Sequence, residues 1–371
     1  MSELFIGLMS GTSLDGVDAV LARFSEAGAM QVLGHAHQPF AKALREELLS
    51  LNQSGPDELH RAALAANGLA RSYADLVAQL LEQCGLRPSD IQAIGAHGQT
   101  VRHRPGEFDG IGYTSQLLNG ALLAEQSGIA VVCDLRSRDV AAGGQGAPLV
   151  PAFHRAVFGR TGESLGVLNI GGISNISLLL ADERTLGFDC GPGNCLMDAW
   201  ISEQRGLDYD ADGAWAAQGQ VLPELLQTLL AEPFFAKPPP RSTGRDLFHR
   251  AWLQHHLTGL VTTPRAEDVQ ATLLELSARA VADSLRGQKQ VLNRLLVCGG
   301  GALNSQLMRR LQALLPESEV ASSDVAGLPV MQVEAAAFAW LAMRFVRGLP
   351  GNLSAVTGAA GPRILGALHP A

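Results

Sequence analysis

The sequence predicts an α/β protein, and three observations carry that prediction. Short apolar runs end, one after another, in glycine or in a hydroxyl or amide residue, as strands do when they deliver loops to a ligand. These runs alternate with longer segments whose apolar residues recur at helical spacing. Two stretches, IGLMSGTSLDGVDAVL at 6–21 and LNIGGISNISLLL at 168–180, share one pattern of strand, glycine-containing hairpin turn and strand. That pair suggests either a structural duplication with one anion-cradling turn in each half, or the chance likeness of two Gly-rich hairpins.

The first apolar run, 5–9, ends in the turn Ser10-Gly11-Thr12-Ser13-Leu14-Asp15-Gly16, and 17–24 reads as a second strand. A third, at 31–37 across Glu26-Ala27-Gly28, completes an antiparallel meander. Helices are predicted at about 41–51 and from Pro56 to about Cys84, the second from apolar Leu69, Tyr73, Leu76 and Leu80. A buried strand at 91–95 delivers Ala96-His97-Gly98-Gln99-Thr100; a Gly/Pro/Asp-rich loop, a helix near 117–127, a strand at 129–133 and a loop at 134–146 follow. The second half opens with a helix at 150–158, strands at 165–170, 176–180 and 185–188, and a helix over about 194–204. The stretch 231–246, containing PFFAKPPPRSTGRD, is too punctuated for one element and reads as an ordered loop or lid, or as a domain linker. A helix at 266–285, a strand at 295–297, a helix at 302–315, a strand at 319–321 and a helix at 333–346 complete the series, and the Gly-rich tail 349–371 reads as a loop packed on the body.

Glycine, 41 of 371 residues, exceeds ordinary usage and fits many tight turns or close approaches of backbone to a ligand. The balance of 28 basic against 36 acidic residues, with no basic run, makes nucleic acid an unexpected partner. The five cysteines form no CxxC pair and read as buried reduced thiols. No apolar segment approaches about 18 residues and the start lacks a basic n-region, so a cytoplasmic chain without a membrane span is expected.

Candidate chemistry gathers at the strand ends. The absence of GxxxxGK[ST] excludes a P-loop enzyme, and the absence of GxGxxG removes the simplest dinucleotide reading. Gly162-Glu163-Ser164-Leu165-Gly166 fits GxSxG but precedes a strand, so it lacks the geometry of a nucleophile elbow. The segment Ser10 to Asp18 is more informative. Its glycines let N–H groups converge on an anion, its hydroxyls add donors, and Asp15 or Asp18 suits water around a divalent ion; a plain hairpin would need fewer such groups. Gly171-Gly172 with Ser174 and Asn175 forms a second candidate cradle. Gly299-Gly300-Gly301, between strand and helix, forms a third, where bare backbone admits a flat adenine. Asp189 stands before Gly191-Pro192-Gly193-Asn194 either as a cap or as a working carboxylate. Asp134 and Asp139 bracket Arg136 and Arg138 in a salt-bridge network or an oxyanion site, and His97 and Gln99 are placed to orient a hydroxyl-bearing ligand.

Taken together, MSGTSLDGVD at 9–18, GAHGQT at 95–100, DLRSRDVAAGGQGAPLVPAFH at 134–154, NIGGISN at 169–175, GFDCGPGN at 187–194, STGRD at 242–246 and CGGG at 298–301 resemble the anhydro-N-acetylmuramic acid kinases, in order and from Leu4 to Leu368. The resemblance implies the two-lobed, actin-like (ribonuclease H-like) α/β fold of sugar kinases, actin and the 70-kDa chaperones, with mixed sheets flanked by helices and the nucleotide in an interdomain cleft. It implies lobes at 1–140 with 347–371, carrying the first phosphate loop, and at 141–346, carrying the second phosphate loop and the adenosine motif. ATP and its phosphates would then be held by Gly11, Thr12, Ser13, Leu14, Asp15, Gly16, Val17 and Asp18, by Asn169, Gly171, Gly172 and Asn175, and by Gly299, Gly300 and Gly301. The implied reaction converts 1,6-anhydro-N-acetylmuramic acid, a product of peptidoglycan turnover, with ATP and water into N-acetylmuramic acid 6-phosphate and ADP. It implies Mg²⁺, reached through water by Asp15 or Asp18, and a homodimer. Asp189 matches the family's catalytic aspartate, while His97, Gln99, Arg138 and Glu334 fall in stretches that match the sugar site. A chaperone-like ATPase of the same fold would leave Arg136, Arg138, His97 and Gln99 without a role, and a sugar-binding module would not need three glycine cradles.

Overall fold

The computed structural model describes residues 2–11, 14–239, 241–244, 247–288 and 290–371. It divides into two compact units, Met1–Val157 with Gln332–Ala371, and Phe158–Met331. In the first unit, β1 (Glu3–Met9), β2 (Gly16–Phe24) and β3 (Met30–Pro39) form the expected antiparallel meander. On the other side of β1, β4 (Ala93–Ala96) runs parallel to it. A separate hairpin of β5 (Gln99–Pro105) and β6 (Gly112–Leu117) follows, and β7 (Val131–Cys133) then lies parallel to β4.

Both faces of this sheet are covered. On one, Leu69, Tyr73, Leu76 and Leu80 of helix Glu58–Cys84 join Ile6, Leu8 and Leu21 in a single core, each such side chain contributing about 1.5–3 kcal/mol by burial. On the other, Gly7 and Gly95 stand opposite each other in parallel register. The apolar helix Val333–Val346 approaches them so closely that a Cβ on Gly7 would lie 1.9 Å from the Ala335 carbonyl oxygen, and one on Gly95 2.0 Å from that of Phe338. Phe153 of helix Val150–Phe158 meets Trp340 of the same helix edge-on at 6.1 Å. These contacts correct the expected lobe boundaries: residues 141–157 and 332–346 belong with residues 1–140, not with the second lobe.

The second unit repeats the plan. Strands β8 (Leu165–Ile170), β9 (Ile173–Leu179) and β10 (Thr185–Pro192) form an antiparallel meander; β11 (Arg294–Cys298) lies parallel to β8, and β12 (Glu319–Ser322) parallel to β11. The order β10-β9-β8-β11-β12 therefore matches β3-β2-β1-β4-β7 strand for strand. The likeness of the two glycine hairpins is a likeness of whole sheets. Leu273, Leu276 and Val281 of helix Ala266–Gly287 fill the core beside Leu168, Ile176 and Phe188.

Several expected elements differ. The β5–β6 hairpin occupies what reads as a loop, so the following helix starts only at Gly120, capped by Asn119, whose side chain accepts the Leu122 N–H. Residues 137–141, expected in a loop, form the short helix Ser137–Ala141. Helices Pro223–Leu230, Pro233–Ala236 and Arg250–Thr258 add to the second unit, the middle one lying inside the proline-rich stretch. In the tail, Ala367–His369 pairs antiparallel with β7 where a loop was expected; its largely exposed residues carry no apolar pattern to announce a strand. None of the five cysteines forms a disulfide among the described residues. Among the described residues no helix is long and apolar enough to cross a membrane.

Candidate active site

In the second unit, strand register assembles the polar groups. Asn169 of β8 pairs with Asn175 of β9, and Asn175 pairs with Asp189 of β10, so the three side chains project from one face in a row. Between β8 and β9 the chain turns on Gly171-Gly172, whose carbonyls accept N–H groups of Gly193, Asn194 and Cys195. With the carbonyls so engaged, what these glycines offer an anion is their own N–H groups. Buried polar atoms normally find partners, yet Asn169 Oδ1 and Ser174 Oγ have none among the described residues. The third glycine run has a packing reason. A Cβ on Gly299 (φ 76°) would fall 2.3 Å from Asn169 Oδ1 and one on Gly301 2.3 Å from Ile170 Cγ2, whereas Gly300 is exposed with Asn194 Nδ2, at 3.6 Å, its nearest neighbour.

Asp189 lies within β10, not beyond its end, at a register shift between Asp189 and Gly191. Its Oδ2 accepts the Thr243 N–H at 2.9 Å and the Ser242 hydroxyl at 3.1 Å; among the described residues Oδ1 accepts nothing. Burial pushes this carboxyl above the usual carboxylate range, against the pull of Thr243, Ser242 and Arg241. The outcome is a half-buried carboxylate with one oxygen fixed and the other available as a base.

The first unit presents a different set. His97 follows β4, its Nδ1 3.0 Å from the Ser10 carbonyl and its Nε2 3.1 Å from an Arg136 guanidinium nitrogen. Arginine only donates, so Nε2 accepts and the proton sits on Nδ1. Burial, then Arg136, drives the His97 pKa down to about 3, and the ring rests against Phe338 at 4.9 Å. Arg136 also donates to the Gly146 carbonyl at 2.7 Å, while its buried Nε lacks a partner among the described residues. Burial lowers this guanidinium to about 10, and Glu334 and Asp139 pull the other way. Gln99 donates to the Gly11 carbonyl at 3.1 Å, and its buried Oε1 has no partner among the described residues. Asp139 is fully buried and structural, accepting from Gly146 N–H, Asn352 and Thr357.

The structure thus sets His97 against Arg136, with Glu334 near enough to act on its charge, whereas the arginine expected there is Arg138. Arg138 is exposed on helix Ser137–Ala141. Residues two apart on a helix face different ways, and nothing in DLRSRD says which arginine turns inward. Thr12 and Ser13 lie outside the described residues. Gly11 and Leu14 close the turn through the Leu14 N–H to Gly11 carbonyl bond, and Asp15 is exposed beside it. Gly16, Val17 and Asp18 belong to β2, with Val17 in the core and Asp18 Oδ1 held by His35 Nε2 at 3.0 Å and His37 Nδ1 at 3.1 Å.

A family profile described as anhydro-N-acetylmuramic acid kinase matches residues 3–371. The chain belongs to that family. Proteins named anhydro-N-acetylmuramic acid kinase from Variovorax paradoxus (strain S110) and Cupriavidus pinatubonensis are 59% and 58% identical to it, over 100% and 99% of this chain and 99% and 98% of theirs. One from Pseudomonas paraeruginosa is 53% identical over 99% of both chains.

Proposed function

We propose that this kinase opens 1,6-anhydro-N-acetylmuramic acid with water and phosphorylates its O6 from ATP, giving N-acetylmuramic acid 6-phosphate and ADP in peptidoglycan recycling. The observation that carries the mechanism is Asp189, a carboxylate raised towards neutrality with one oxygen fixed and one available. Oδ1 takes a proton from the water that attacks C1; the C1–O6 bond breaks, and O6 attacks the γ-phosphorus as ADP leaves. ATP captures the leaving oxygen, which makes ring opening irreversible in practice.

The second-unit turns support the nucleotide assignment. Asn169, Gly171, Gly172 and Asn175 would face phosphate, with orphaned Asn169 Oδ1 and Ser174 Oγ beside them, and exposed Gly300 is the residue of its run open to adenosine. Gly11 to Asp15 would contact phosphate from the first unit. A bound Mg²⁺ would supply neutralisation of the charge on the transferred group; we propose that Asp15 would hold it through water, Asp18 being engaged by His35 and His37. Neutral His97 is no acid or base near pH 7 and serves to fix Arg136, which with Gln99 and Glu334 would hold the sugar and its carboxylate in place of the expected Arg138. The two-lobed actin-like architecture, the homodimer and a cytoplasmic location are part of the same proposal. In ¹⁸O water, mass spectrometry should find one ¹⁸O at C1 for each ADP formed; a final phosphorylated product retaining its anhydro bridge would overturn the reading.

A further inference from the structure

The stretch that reads as a loop, lid or linker in the sequence has a specific attachment. Asp189 N–H donates to the Arg241 carbonyl at 3.1 Å, and Arg241 Nε donates back to the Asp189 carbonyl at 3.0 Å, closing a two-way backbone clasp on β10. The remaining nitrogens of Arg241 reach the Phe235 and Lys237 carbonyls at 3.0 and 2.9 Å and Ser284 Oγ, on helix Ala266–Gly287, at 2.5 Å. Its guanidinium lies 5.0 Å from the Phe234 ring centre and 5.8 Å from that of Phe188. One arginine thus ties the proline-rich segment, the strand bearing Asp189 and the long helix behind it into one unit. The next two residues supply both donors to Asp189 Oδ2.

We propose that Arg241 is a positioning residue for the reaction, and that the segment 241–243 it anchors is a strap that fixes Asp189 Oδ2 and leaves Oδ1 to the attacking water. This rests on the reading of Asp189 as the base. A carboxylate on a strand edge rotates about its last torsion, and each rotation would carry the accepting lone pair away from the water; two donors on the same oxygen remove that freedom. The planar guanidinium suits the task because its fixed fork serves four acceptors at once, which a lysine ammonium cannot do in the same directions. The strap also tempers the carboxyl: Ser242 and Thr243 stabilise the ionised form that burial disfavours.

The test uses the full-length enzyme and reads kcat, KM for anhydrosugar and ATP, and the acidic limb of the pH profile. Ser242 is exposed, so Ser242→Ala should fold normally. It should lower kcat by roughly tenfold with both KM values unchanged, and move the acidic limb upward by roughly half to one pH unit, because one stabilising donor to the carboxylate is lost. Ser242→Thr, which keeps the hydroxyl, should restore both. Arg241→Lys should do the same as Ser242→Ala more severely, lowering kcat by roughly tenfold to a hundredfold; if it fails to fold, the Ser242 pair decides. A limb that stays in place while kcat falls would mark the strap as merely structural, and a rise in KM alone would make Ser242 a substrate contact; either overturns the proposal. Asp189→Asn run in parallel separates the two readings. If it retains turnover within about threefold, the base assignment fails and takes the strap's role with it. If it is inactive while Ser242→Ala leaves the limb unmoved, only the strap fails.

Discussion

The two units share a strand order and differ in what stands at the ends of their strands. In the first, β4 delivers a buried, neutral histidine that is held by an arginine, and two residues further on a glutamine whose oxygen has no partner among the described residues. In the second, β8, β9 and β10 deliver two asparagines and a carboxylate in one register row beside a two-glycine turn. A common sheet therefore sets where side chains converge and leaves the chemistry to a handful of strand-end residues. On the function proposed above, recognition falls to the first set and proton transfer to the second.

The sharpest way to break that division is Asp189→Asn, which keeps size and most hydrogen bonding but removes the base. Turnover should fall by roughly 10²–10⁴-fold while ATP affinity by calorimetry stays near that of the parent. Loss of ATP binding together with a lowered melting temperature would instead make Asp189 a structural residue. Asparagine serves as well as aspartate in caps, so a role as a cap alone predicts turnover within about threefold of the parent.

The first unit should be the acid-sensitive one. His97 and His154 are buried and both have a pKa pushed down to about 3, His154 by burial alone. The unfolded chain takes up protons below about pH 6.5 and the folded chain does not, so this stability is complete above that value and is lost as pH falls towards about 3. Between pH 7 and 5 each histidine should cost about 2 kcal/mol. Urea titrations at the two pH values should show the loss, and His97→Gln should remove about half of it; an unchanged pH slope in that variant would exclude His97 as a cause.

Within the first unit, Arg136 and Arg138 form an internal comparison of smaller effect. Replacing Arg136 by Met deletes the bond to His97 Nε2 and frees the Gly146 carbonyl, so kcat/KM for the anhydrosugar should drop by at least about tenfold. Arg138→Met, at an exposed site, should cost less than about threefold. Equal losses would restore Arg138 as a direct sugar ligand.

Much of this was legible because it is local. Apolar runs such as 165–170, buried at every residue, end at glycine turns that mark both sheets, and the glycine cradles lie in those turns. What escaped depends on distant partners. The β5–β6 hairpin is rich in polar residues, the exposed His103 and Arg104 among them, and pairs only with itself among the described residues, so no burial pattern marks it. The helix at 333–346 is legible as a helix, but its unit is decided by bare backbone at Gly7 and Gly95, hundreds of positions away. Likewise the Thr243 N–H donor to Asp189 comes from 54 residues downstream, in a motif that does not announce which residue it will hold.

The smallest predicted effect concerns the third glycine run, where packing and ligand binding make opposite demands on neighbours. Alanine at 299 meets Asn169 Oδ1 at 2.3 Å on a backbone with φ of 76°, which should cost about 1–3 kcal/mol and disturb the row leading to Asp189. Alanine at 300 meets nothing closer than 3.6 Å on an exposed backbone, so the melting temperature should move by no more than about 2 °C. If adenosine rests on that backbone, the added methyl must nevertheless be displaced by the base or displace it, and ATP Kd should rise by about three- to tenfold with KM for the anhydrosugar unchanged. Calorimetry on the Gly300→Ala protein therefore separates a glycine kept for its ligand from the flanking glycines kept for their fold; an ATP Kd equal to the parent's would leave the whole run with a packing role only.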